Sequence, residues 1–174
     1  MLTRSIFLLS ISALTAAAQT PAPSAVTYAR TLWLEVSTYL DRAAADTPDS
    51  LYSFKPTPDV RSFGEILDHI AASQNGYCRL ALGERPTGGG AGTGAKAKPE
   101  IVAALRASHT LCVRAYAQAD SDATRPAYDG DKRSRLYQLL ENAMHNNEHY
   151  GNLVTYLRLK GRIPPSSQPT PTTP

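Results

Sequence analysis

Residues 131–161, DKRSRLYQLLENAMHNNEHYGNLVTYLRLKG, decide the fold. Leu136, Leu139, Ala143, Tyr150, Val154 and Leu157 recur at helical spacing and form one apolar stripe. Gly161, followed by Pro164, stops the run. A helix of this length carries an apolar stripe that only neighbouring helices can cover, and the rest of the chain supplies three. Residues 24–45 place Ala29, Leu32, Trp33, Val36, Leu40 and Ala43 on one face, with Ser24 as the cap. Ser62 and Glu65 form a Ser-x-x-Glu capping box that opens a second helix, ending near Leu82-Gly83. Its stripe is Phe63, Ile66, Leu67, Ile70, Gln74 and Tyr77. Pro99 opens a third helix that runs to about residue 120, with Ile101, Leu105, Ser108, Leu111, Cys112 and Ala115 along one side. No convincing strand pattern appears, so the expected fold is all-α, four helices around one core in a four-helix bundle.

The joints constrain how those helices run. About sixteen residues separate the first helix from the second, and a similar number the second from the third. Antiparallel neighbours usually need only about 2–8. Sixteen extended residues reach ~50 Å, enough to travel back along a ~30 Å helix. A crossover that leaves helices two and three parallel is therefore open to this chain. The glycine-rich second joint is no phosphate loop: Gly89 and Gly94 are spaced correctly, but Ala95 stands where the lysine must be and no strand precedes it. It reads as a flexible linker.

The chain's 174 residues suit one domain. A formal charge of +3, without a basic run interleaved with aromatics, argues against nucleic-acid binding. Residues 1–18 read as a signal peptide, with Arg4 as the positive start, an apolar stretch over 6–14 and Ala16-Ala17-Ala18 before the cut. That stretch is too short to span a ~30 Å hydrocarbon core comfortably, so no stable membrane insertion is expected after cleavage. Export to the periplasm or the medium, an oxidising destination, follows. The bundle domain then covers 19–163, and residues 164–174, rich in Pro, Ser and Thr, read as a disordered tail.

Four histidines remain: His69, His109, His145 and His149. His145 and His149, at i and i+4, leave one helix face about a turn apart, the separation needed to share a metal ion. Both lie roughly 130° from the centre of their helix's apolar stripe, and His69 lies about 110° from the centre of its own. Gln138, Glu141, Asn152 and Tyr156 continue the polar row. These positions fit the wall of a groove beside the core. Three imidazoles converging there would make a three-ligand site with open coordination positions. His109 flanks the third stripe and reads as a satisfied, partly buried histidine.

Other chemistries fail on the residues. His145-x-x-Glu148-His149 has the inverted zinc-protease spacing, yet no Asp or Glu follows His149 to complete it. No Glu-x-x-His pair serves a di-iron centre, and no Cys-x-x-Cys-His attaches haem.

Phe54-Lys55-Pro56-Thr57-Pro58 with Ser62-Phe63-Gly64-Glu65-Ile66-Leu67-Asp68-His69-Ile70-Ala71 resembles the first half of the DinB-like superfamily. The stretch from His145 to Arg158, followed by Ile163-Pro164-Pro165-Ser166, resembles its second half. The resemblance implies an up-down-down-up four-helix bundle and a divalent metal held by His69, His145 and His149. It also implies relatives that are thiol-using transferases and thiol-dependent isomerases, and it implies no DNA binding. Parallel second and third helices would bring Cys78 and Cys112 to nearly the same height, where they can form a disulfide.

The expected function is therefore a metal-dependent enzyme, a hydrolase or thiol-dependent transferase. The ion is zinc by default, with nickel or iron also suited to imidazole. Glu148, and more weakly Glu141, are the candidates for proton transfer. The rival reading is a non-enzymatic periplasmic module that binds a metal or small ligand. A small-molecule substrate of unknown identity, and at most a second copy of the chain, are the expected partners.

Overall fold

The computed structural model describes residues 22–87, 92–128 and 132–169. The expected signal peptide, the four residues 88–91 of the glycine-rich joint and the last residues of the tail lie outside them. Within the described residues the chain is all-helical. Its elements are α1 (Ala25–Asp46), α2 (Phe63–Leu82), α3 (Lys98–Ala115), the single-turn α4 (Asp120–Ala123) and α5 (Arg135–Leu159), with short 3₁₀ turns at Asp49–Leu51 and Pro165–Ser167. None of these helices is long and apolar enough to cross a membrane.

The caps follow the sequence closely. Ser24 accepts from the Thr27 amide, and Ser62 and Glu65 close the capping box that starts α2. Gly83 and Gly161, at φ of 77° and 66°, end α2 and α5 in the left-handed conformation that costs glycine least. After Gly161, the Arg162 amide returns to the Leu157 carbonyl and the Gly161 amide to Arg158, satisfying carbonyls the helix leaves free. The end of α1 is closed from a distance. Tyr52 Oη donates to the Ala44 carbonyl, Lys98 Nζ to Ala45 and Thr47, and Arg162 to Asp46. Two of those donors are cations, placed where the helix dipole is negative.

Three expectations need correction. The third helix stops at Ala115, not near residue 120, because the buried Tyr116 stacks on Trp33 and donates to the Leu139 carbonyl, 2.6 Å away. The chain turns there and starts α4. The joint between α2 and α3 is not free where it is described: Thr93 Oγ1 and the Gly94 amide both bond the buried Asp68 carboxylate. Nor is the whole of 164–174 a loose tail. Pro165 is buried, Ser166 exchanges two hydrogen bonds with Tyr150 Oη, and Gln168 accepts from Arg42.

α5 also buries a face the apolar stripe did not include. Leu139, Ala143, Tyr150 and Leu157 are in the core as expected, whereas Leu136 and Val154 are only half-buried. Gln138, Asn142, Asn146, Leu153 and Tyr156 are buried with them. Gln138 and Tyr156 had been assigned to the polar groove wall.

The core is built in two apolar halves. Val36, Leu40, Leu67, Ile70, Leu105 and Leu153 belong to one, and Ala29, Trp33, Cys78, Cys112, Tyr116 and Leu139 to the other. A polar belt lies between them, centred on the fully buried Gln74. Its Oε1 accepts from Trp33 Nε1 at 2.8 Å and Asn146 Nδ2 at 2.7 Å, and its Nε2 donates to Ser108 Oγ at 2.8 Å. One side chain thereby ties α1, α2, α3 and α5 together. One turn further along, Cys78 and Cys112 are joined as a disulfide between α2 and α3, and Asn142 donates to Tyr116 Oη beside it.

Contacts between α2 and α3 advance together along both helices. Gly64 lies against Ile101 and the Tyr52 carbonyl, so closely that an added Cβ would sit 3.0–3.2 Å from its neighbours. Gln74 meets Ser108, Cys78 meets Cys112, and Gln118, just beyond α3, reaches the Ala81 carbonyl.

Two outcomes follow for stability. The disulfide closes a separation of 34 residues, so the Cys78→Ala/Cys112→Ala double variant should lose about 3–4 kcal/mol in urea unfolding. Gln74→Leu strands two buried donors, Trp33 Nε1 and Asn146 Nδ2, and should cost about 2–6 kcal/mol in the same measurement.

Candidate metal centre

α2 and α5 lie against each other on either side of the polar belt, and the expected histidines meet across that contact. The Gln74 to Asn146 hydrogen bond sets the spacing of the two helices directly beside His145. His69 Nε2 is 3.1 Å from His149 Nε2 and 3.1 Å from His145 Nε2. One ligand atom from each of the three falls within 4.8 Å of the others. The rings meet edge-on or tilted, with centroids 4.4–5.0 Å apart. His69 is buried, deeper than a groove wall, and His145 and His149 are half-buried.

These nitrogens cannot all carry protons. Two N–H groups cannot point at one another at such distances, and three imidazolium charges would repel strongly in a half-buried site. Burial, followed by the charges of His149 and His69, pushes His145 down from 6.5 to about 4, with the adjacent Asn146 amide opposing the shift. His149 is lowered by burial and then by His69, with Glu148 pulling the other way. Neutral imidazoles with converging lone pairs are the form that binds a divalent ion. Nitrogens ~2.0–2.1 Å from a tetrahedral zinc lie about 3.4 Å from one another, and 3.1 Å is close to that edge. The donor set therefore fits a divalent metal.

The surroundings of the triad are uneven. His145 Nδ1 is buried and has no hydrogen-bond partner among the described residues. His149 Nδ1 lies 3.5 Å from the Asn152 amide, long for a hydrogen bond. Tyr77, two turns beyond His69 on α2, sets its ring edge-on to His145 with centroids 5.7 Å apart. The sequence placed Tyr77 on the apolar stripe and attached no role to it; its spacing of eight from His69 was the available signal.

The other candidates stand further off. Glu148 is exposed and acts on His149 through its charge, while Glu141 is half-buried and its charge falls on Tyr77. His109 is outside the cluster: its Nδ1 pairs with Asp41 at 3.1 Å and its ring meets the edge of Trp33. Gln74 and Asn146, which bond the two helices at this spacing, were not recognised as supports: Gln74 was one amide in an apolar stripe and Asn146 only a spacer between the two histidines.

A pH dependence follows for the metal-free protein. His145 titrates below its unfolded value of 6.5, so the unfolded chain takes up the proton first. Stability is complete above 6.5 and should fall as pH drops toward 4. Thermal unfolding between pH 7.5 and 4 should show this decline, and His145→Gln should flatten it.

No curated protein matches the chain. The sequence pattern of the DinB superfamily matches residues 32–153, a span that takes in most of α1, all of α2 and α3, all three clustered histidines and most of α5. That match covers well over half of the chain and agrees with the motifs around His69 and His149, so the protein belongs to the DinB superfamily.

Proposed function

We propose that this protein is an exported metalloenzyme, a hydrolase or thiol-dependent transferase, that holds one divalent ion through His69, His145 and His149. The observation that carries the reading is the convergence of three imidazole nitrogens, two pairs of them 3.1 Å apart, from two helices far apart in sequence. Zinc is the first choice, since neutral nitrogen donors in this number are its usual catalytic set. Nickel and iron suit the same donors.

The fold proposed with it is an up-down-down-up four-helix bundle of α1, α2, α3 and α5. The advancing register from Gly64 and Ile101 to Cys78 and Cys112 supports parallel α2 and α3. Residues 1–18 are proposed as the signal peptide. The disulfide supports an oxidising destination, the periplasm or the medium.

A bound ion with three protein ligands keeps positions open and supplies a Lewis acid that lowers the pKa of water or polarises a carbonyl. The chain's own groups do the rest. Tyr77 sets its ring edge against His145 and would shield that side of the imidazole. Glu148, exposed and one residue before His149, is the candidate to take or return a proton, with Glu141 one turn before His145 as the weaker alternative.

Metal analysis of purified protein decides the matter. One equivalent of a divalent ion is expected for the wild type, and His145→Ala should lower occupancy at least tenfold while keeping the helical circular dichroism. Equal, negligible metal in both proteins would remove the reading.

A further inference from the structure

Five large apolar side chains that the core does not take up gather on one side of the molecule. Tyr28 and Leu32 of α1, and Tyr137, Leu140 and Met144 of α5, are 56, 50, 41, 38 and 66% exposed. Within each helix they stand three or four residues apart, and so share a face. The two helices lie side by side, and their contacts advance together. Trp33 meets Asn146 at Gln74, and Tyr39, six residues on, stacks on Tyr150, four residues on. Counting back along both helices sets Tyr28 and Leu32 beside Leu140 and Met144.

No charged side chain divides this face. α5 carries no lysine or arginine from Leu136 to Leu157. Its two carboxylates in that stretch, Glu141 and Glu148, lie beyond Tyr137 and Met144, on the side away from α1. On α1, Glu35 borders the face and accepts from Tyr39 Oη. A single exposed apolar residue, such as Val113 on α3, is ordinary. Five together leave roughly 450 Å² of largely apolar side chain in water, within the range of the largest patches that single chains expose. A standard interface takes ~800 Å² from each partner, about 56–65% of it apolar, so it needs roughly this much. Tyrosine and methionine are also the side chains that such interfaces favour.

The ends of the chain offer nothing to cover it. Neither residues 19–24, before α1, nor residues 169–174 contain a large apolar side chain. We propose that this α1 and α5 face is where two copies of the chain associate, each covering the other's patch across a two-fold axis. A contact of that kind needs one self-complementary surface, and a second copy presents the same patch with no opposite charge required. The proposal is independent of the metal reading.

The test is sedimentation equilibrium of the purified full chain at up to about 100 µM, above the weakest affinity expected of such an area. The wild type should sediment at twice the mass of one chain and stay so in about 1 M salt, because the contact is apolar. Leu32→Glu and Met144→Lys each place an unpaired charge at the contact, and each should raise the dissociation constant at least ~100-fold while the helical circular dichroism is kept. Val113→Lys, an equally exposed change outside the face, should leave the dimer intact. A monomeric wild type, a dimer that survives both Leu32→Glu and Met144→Lys, or equal loss with Val113→Lys overturns the proposal. A monomeric wild type that floats with phosphatidylcholine vesicles gives the face to a lipid surface and overturns it too. The readout is mass, so failure here is separable from failure of the metal analysis.

Discussion

One buried amide organises the molecule. Gln74 accepts from Trp33 of α1 and Asn146 of α5 and donates to Ser108 of α3, so every long helix is bonded to a single side chain at one height. Apolar packing alone tolerates sliding, because one leucine ridge fits several neighbouring grooves. A buried hydrogen-bond hub does not, since a shift of one turn would leave donors in the core unpaired. The network therefore specifies register where the two apolar halves would only specify contact.

The triad inherits that register. Asn146 is the next residue after His145, and Gln74 is five after His69, so the bond between them stands within about a turn of the histidines on both helices. The disulfide continues the same line of constraint between α2 and α3, and it is fully buried. Rigid support of this kind is what a multi-ligand site needs, because an ångström of slack between helices would separate the nitrogens beyond the reach of one ion. The outer nitrogens of the triad are by contrast sparsely bonded: among the described residues His145 Nδ1 has no hydrogen-bond partner, and His149 Nδ1 has only the 3.5 Å contact with Asn152.

Much of this was legible in local sequence. The four long helices, the capping box of Ser62 and Glu65, the glycine stops and the pairing of His145 with His149 all rest on spacings within one segment. The ends of elements were less legible where a distant partner intervened. Tyr116 stops α3 because Trp33 and Leu139 engage it, and Ser166 is ordered because Tyr150 holds it. Gln138 was placed on the polar groove wall because its polarity argues for water, yet it is buried, as are Asn142 and Asn146, whose partners Tyr116 and Gln74 come from other segments.

The amino-acid order by itself determined the helices, their apolar faces and which histidines were available, since helical periodicity is a property of one backbone segment. Only the tertiary structure decided that His69 meets His145 and His149 and that Cys78 finds Cys112. Each of those depends on the relative height and rotation of two or more helices. Those quantities are set by interdigitating side chains and buried hydrogen bonds between segments 30 to 80 residues apart, and no local pattern encodes them.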